Sequence, residues 1–199
     1  MPGGFDIKTL EIDDSADYVE TWKTLEKIYK KSIKLKNIGV SNFNTFQLTR
    51  ILNETETTPQ INQIEIHGYF PQNELVEFCK SKDIQLTAYS PLSSPGRPAF
   101  LKEDSHPVLI QEPKVVKIGE EHGKSAAQVL LRWVLQRGIV AIPKSVTKSR
   151  IEQNFEIFDF ELSEGQVSVI NGLEVSLQIC VPEPFKASKF YPFVENYSE

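Results

Sequence analysis

Apolar side chains recur along this chain with two distinct periods. Between residues 17 and 31, Tyr18, Val19, Trp22, Leu25, Ile28 and Tyr29 fall three and four apart, the spacing of one helix face. Residues 60–66, Gln-Ile-Asn-Gln-Ile-Glu-Ile, alternate instead and predict a strand. Shorter apolar runs at 37–40, 84–89 and 139–142 predict three more. A helix follows each strand. The first starts from a cap at Asn44 or Thr45 and carries Phe46, Leu48, Ile51 and Leu52. The second holds Glu74, Leu75, Phe78 and Cys79. Further helices are predicted at 115–121, 126–136, 150–155 and 165–171, with His122-Gly123 as a helix end. A Pro-, Ser- and Gly-rich loop runs from Pro91 to about residue 112. A tail from residue 174, with Pro182, Pro184 and Pro192, is expected to be irregular.

Strands that alternate with helices imply right-handed parallel βαβ units and an α/β fold. A small doubly wound sheet or part of an eight-stranded barrel would satisfy the pattern. In either, ligands sit beyond the carboxyl ends of the strands. Four strand ends carry hydrogen-bonding groups: Ser41-Asn42, the turn His67-Gly68-Tyr69, Tyr89-Ser90 and Lys144-Ser145. Gln63 lies within the second strand.

Composition narrows the class. The chain has 199 residues, 25% of them charged and 40% hydrophobic, which fits a single globular domain with a sizeable core. A net charge of −5 gives no sign of nucleic-acid binding, and the basic stretch 30–36 is read as a solvated helix end. There is no apolar run of membrane length, and Met1-Pro2-Gly3-Gly4-Phe5 does not resemble a signal peptide. Two distant cysteines, Cys79 and Cys180, fit a reducing cytoplasm.

The densest chemistry lies in Ile142-Pro143-Lys144-Ser145-Val146-Thr147-Lys148-Ser149-Arg150, read as a strand end, a turn and a helix start. A helix start favours an anion. Lys144 adds a point charge and Arg150 a fork that can hold two phosphate oxygens. The plainer alternative is an ordinary turn capped by Thr147 with solvated cations. His67, His106 and His122 read as structural or surface residues, and no metal ligands are assigned.

Four segments, in order and spacing, resemble the aldo-keto reductases, of the aldose or aldehyde reductase type: Lys36-Asn37-Ile38-Gly39-Val40-Ser41-Asn42-Phe43, Asn62-Gln63-Ile64-Glu65-Ile66-His67, Thr87-Ala88-Tyr89-Ser90-Pro91-Leu92, and Ile142-Pro143-Lys144-Ser145 through Arg150 and Asn154. The likeness spans residues 17–172 and thins in the tail. It implies a (β/α)8 barrel and NADPH-dependent reduction of an aldehyde or ketone. By position, Ser41, Asn42 and Gln63 would hold the nicotinamide carboxamide, and Tyr89 would stack on its ring. Ser90, Leu92 and Ser94 would follow the pyrophosphate. Lys144, Ser145, Val146, Thr147 and Arg150 would bind the adenosine 2′-phosphate, and Asn154 the adenine.

The resemblance also has gaps. Gly96 stands where many relatives carry an Asp over the pyrophosphate, Gln153 replaces a Glu near the adenine, and Gly68 replaces a Pro. The family's catalytic Asp, Tyr, Lys and His belong to the first half of the barrel. None of the six tyrosines, Tyr18, Tyr29, Tyr69, Tyr89, Tyr191 and Tyr197, matches the donor position, so no catalytic residue is assigned. The resemblance therefore implies a partial domain over residues 1–199: the C-terminal half of the barrel, with cofactor motifs and without the proton-transfer groups. Its two sheet edges, near Ile38 and Val140, would lie open, and inward side chains such as Ile64 and Leu86 would lack an opposite wall. The expected function is NADPH-dependent carbonyl reduction in a completed barrel. The alternative is a non-catalytic NADPH-binding or self-assembling half-barrel. Phe100, Phe185 and Phe190 are candidates for a hydrophobic substrate wall.

Overall fold

Seven helices and four strands are found among the described residues of this computed structural model, which are 12–13, 15–96, 107–173, 175–181 and 183–193. Phe100, His106, Pro182, Tyr197 and the opening Met1-Pro2-Gly3-Gly4-Phe5 lie outside them. In chain order the elements are α1 (Tyr18–Lys31), β1 (Gly39–Ser41), α2 (Thr45–Glu54), β2 (Ile61–Glu65), α3 (Asn73–Ser81) and β3 (Gln85–Tyr89). They continue as α4 (Pro113–His122), α5 (Ala126–Gln136), β4 (Val140–Ala141), α6 (Lys148–Gln153) and α7 (Glu164–Asn171). Short 3-10 turns lie at Leu109–Gln111 and Glu183–Phe185. No helix among the described residues is long and apolar enough to cross a membrane.

Local chemistry sets the helix boundaries. Asn44, Ser125 and Ser163 are each followed three residues later by a glutamine. Each pair closes a capping box that satisfies two otherwise orphaned backbone N–H groups. Asp17 caps α1 by accepting from the Val19 amide. Gly123 ends α4 at φ 62°, a conformation that costs glycine little.

The four strands form one parallel sheet in the order β1-β2-β3-β4. The register pairs Ser41 with Gln63, Gln63 with Thr87, Glu65 with Tyr89, and Ala88 with Ala141. All carboxyl ends therefore meet along one rim. Gly39 permits the β1–β2 approach, because a Cβ there would lie 2.6 Å from the Ile61 carbonyl oxygen.

One correction concerns the faces of the sheet. Ile64 and Leu86, expected to point inward without a wall, are 2% and 4% exposed in the main core. They pack with Ile66 and Ala88 in a cluster that includes Cys79, Val115, Val129, Leu130 and Trp133, on the side that the helices cover. The inward face instead carries the opposite alternation: Gln63, Glu65, Thr87 and Tyr89. Ile61 lies three residues before Ile64, on the other face, and is 36% exposed, so the apolar residues of 60–66 do not keep one alternation. A second small core, of Trp22, Ile38 and Ile51, joins α1 to α2.

Candidate functional site

The rim formed by the strand ends gathers the polar residues singled out from the sequence. Ser41 is the last residue of β1 rather than the first beyond it, and its hydroxyl donates to the Gln63 carbonyl at 2.9 Å. Asn42 follows in a left-handed conformation, φ 59°, and its amide donates to the same carbonyl at 3.0 Å. That backbone turn aims the Asn42 side chain across β2, where its Oδ1 accepts from the Tyr89 hydroxyl at 2.9 Å. Three neighbouring strand ends are thus tied together through Ser41, Asn42, Gln63 and Tyr89. Tyr89 is half-buried. Burial, followed by the nearby Glu65 carboxylate, raises its pKa well above the ordinary phenol value, so the hydroxyl stays protonated and donates.

Past β3 the chain makes a tight turn. Ser90, Ser93 and Ser94 all adopt positive φ, and Ser94 donates to the Ser90 hydroxyl at 2.7 Å. Leu92 packs against the core. Gly96 has open space where a Cβ would stand.

The fourth strand leaves beside the third, with the Ile142 amide bonded to the Ala88 carbonyl at 3.2 Å. Lys144, Val146 and Arg150 are exposed, while Ser145, Thr147 and Asn154 are half-buried. Here the structure differs from the expected Thr147 cap. Thr147 occupies the cap position of α6, but its side chain makes no cap bond. Ser145 instead accepts from the backbone amide of Thr147 itself at 3.2 Å, which shapes the turn before the helix without capping it. At six residues, α6 adds little dipole, so anion binding here rests mainly on side chains. Among the described residues neither Lys144 nor Arg150 has an ion-pair partner, whereas the neighbouring Lys148 lies near Glu152. Lys144, Ser145 and Asn154 line one cleft of about 770 Å³, whose walls also include Ile151, Phe155 and Phe158. Arg150, Val146 and Thr147 are not among its lining residues.

Two residues with no role assigned from the sequence stand at the end of β2. Glu65 and His67 are 1% and 0% exposed, and His67 Nε2 lies 2.8 Å from Glu65 Oε1. The tail meets them there: the amides of Ile179 and Cys180 donate to Glu65 Oε1 and Oε2, each at 2.8 Å. Further along, the Asn44 and Gln47 side chains donate to the carbonyls of Pro192 and Phe190, each at 2.9 Å. The one sequence signal for Glu65 is its place two residues after Gln63, on the same strand face. His122 bonds Gln166 at 3.0 Å on α7 and serves packing. Cys79 is buried in the core and Cys180 is exposed, and no disulfide joins them. Of the three phenylalanines expected to form a substrate wall, Phe185 is exposed and Phe190 packs edge-on against Tyr18 at 5.1 Å.

Comparison with known proteins bears on this arrangement. A model described as the Aldo/keto reductase family matches residues 8–175. The aldo-keto reductase family 1 member A1 of Xenopus tropicalis is 44% identical over 169 residues, covering 85% of this chain and 51% of that protein. The member A1-A of Danio rerio is 40% identical over 198 residues, covering 95% of this chain and 60% of that protein. The structure of the aldose reductase from Schistosoma japonicum superposes with a TM-score of 0.81 at 37% identity, covering 92% of this chain and 56% of that one. The chain spans about half the length of the curated relatives it matches.

Proposed function

The chain belongs to the aldo/keto reductase family, and from that premise we propose that its residues form the NADPH-holding part of an oxidoreductase that reduces aldehydes or ketones. The observation that carries the reading is the Tyr89–Asn42 bond across β2. It fixes the Tyr89 ring at the rim, where its face can stack on a flat ring. Ser41, Asn42 and Gln63 supply the donors and acceptors that an amide requires. Ser90, Leu92 and Ser94 border the path of a pyrophosphate. Lys144 and Arg150, which form no ion pair among the described residues, suit a doubly charged phosphate monoester, aided by Ser145, Val146 and Thr147. That preference distinguishes NADPH from NADH. Asn154, on the cleft wall, takes the adenine. When bound, NADPH supplies the hydride.

Reduction of a carbonyl also needs a proton for the nascent alkoxide. Tyr89 does not fill that role, because its hydroxyl is committed to Asn42 and its pKa is raised. No catalytic residue is assigned here. In this reading the four βα units are the later half of an eight-stranded barrel, and the open edges of β1 and β4 are where the other strands pair. Two cysteines not joined by a disulfide suit a reducing cytoplasm.

One observation favours a second reading, a non-catalytic module that self-associates. Around the cleft beside the edge strand β4, Phe155, Phe158 and Ile151 are 77%, 63% and 53% exposed. Such apolar exposure commonly marks an interface.

Titration of the purified chain with NADPH and NADH, with light scattering on the same samples, tests both readings. The first expects saturable NADPH binding, tighter than NADH binding, and no aldehyde-dependent NADPH oxidation. Absence of NADPH binding overturns it. A stable dimer without nucleotide affinity favours the second.

A further inference from the structure

We propose that Glu65 is a positioning residue: it pins the tail at Ile179–Cys180 against Tyr89–Ser90 and so holds the tail closed over the nicotinamide end of the rim. The inference rests on the NADPH-binding reading and adds to it a residue that acts through the tail. Glu65 is 1% exposed, and each of its oxygens accepts from a backbone N–H of the tail. A buried carboxylate is costly unless it is fully paired. Of its three hydrogen-bond partners, one is His67 and two are consecutive backbone amides of the tail. Tail docking and carboxylate burial are therefore coupled: each is expensive without the other.

Three placements direct this coupling to the site. Glu65 is the register partner of Tyr89 on β3 and lies two residues beyond Gln63 on the same face. The pinned Cys180 sits with Sγ 3.7 Å from the Ser90 hydroxyl. The preceding tail follows the same turn, since the amides of Val175 and Leu177 both donate to the Tyr69 carbonyl, at 3.4 and 3.2 Å. The pin itself is braced from behind, because the Gln72 side chain donates to the Glu65 carbonyl at 2.6 Å. His67 Nδ1 is buried without a partner among the described residues, so the imidazole's one bond is spent on Glu65.

The test measures hydrogen exchange of the 175–181 amides, and the rate of NADPH release, in the wild-type chain, in Glu65→Gln and in Cys180→Pro. The second variant removes one tail N–H that Glu65 accepts from, at an exposed residue, and keeps both side chains of the buried pair, so it carries the test should Glu65→Gln fail to fold. Loss of a charge-assisted bond should speed tail exchange by about tenfold or more, and NADPH release severalfold, while the β2 amides stay protected. Unchanged tail exchange in the folded variants overturns the pin. Faster tail exchange with unchanged NADPH release overturns the positioning role. A wild-type chain that binds no NADPH overturns the nucleotide reading and the positioning role with it, whereas the pin is then decided by the exchange rates alone.

Discussion

Asn42 and Ser90 occupy matching places, the first residues past β1 and β3, and both adopt positive φ. A left-handed residue at a strand end turns the backbone sharply, and Asn tolerates that better than most side chains. The sequence placed Asn42 and Tyr89 at strand ends but not in contact, because the 2.9 Å bond spans 47 residues and depends on that turn. Lys144 and Arg150 were legible from charge alone. Their turn chemistry was less so, since Thr147 makes no side-chain cap bond and Ser145 instead accepts from the Thr147 amide ahead of the helix. For these two cations we expect Lys144→Ala and Arg150→Ala each to weaken NADPH binding about 10- to 100-fold, the worth of a charged hydrogen bond. NADH affinity should change little, because the lost partner is the 2′-phosphate. Fluorescence titration with both nucleotides checks this, and equal losses for the two nucleotides would contradict the assignment.

At the scale of elements, period and caps fixed the helices well. The capping boxes at Asn44, Ser125 and Ser163 are local, so they can be read from residues three apart. The faces of β2 could not be read the same way. The apolar positions in and just after it, 61, 64 and 66, do not share one alternation, and only burial reveals that Ile64 and Ile66 face the helices while Glu65 turns to the opposite face. The approach of β1 to β2 is equally non-local. Gly39→Ala would place a methyl against the Ile61 carbonyl oxygen, and we expect a loss of about 1–3 kcal/mol from overpacking. Urea unfolding measures it, with the midpoint shifted down and the slope retained.

For the whole molecule, the order of strand and helix signals was enough to indicate a parallel α/β fold, because each βα unit declares itself locally. The tail's attachment was not legible, since the bonds that Asn44, Gln47 and Glu65 make to it each join residues more than a hundred positions apart. Acid stability is another property of the assembled chain. Arg50 binds Asp17 through both carboxylate oxygens, at 3.1 and 2.6 Å, linking α1 to α2. That bond holds the Asp17 carboxyl below its ordinary pKa of 3.8. A depressed folded-state pKa contributes its full stabilisation above the unfolded value and loses it as pH falls through the folded one. We therefore expect the melting temperature of the wild-type chain to exceed that of Asp17→Asn at neutral pH, by the worth of a partly exposed pair of about 1 kcal/mol or less. The gap should close below about pH 4. A gap that persists at pH 2.5 would assign the difference to packing.

The capping box of α2 serves a second purpose. Asn44 and Gln47 brace the first turn of the helix, and the same two side chains hold the carbonyls of Pro192 and Phe190. The opening turn of α2 therefore cannot fray without releasing residues almost 150 positions further along the chain. Local unfolding at that turn and detachment of the distal tail form one cooperative unit, so whatever loosens one end of the chain is felt at the other.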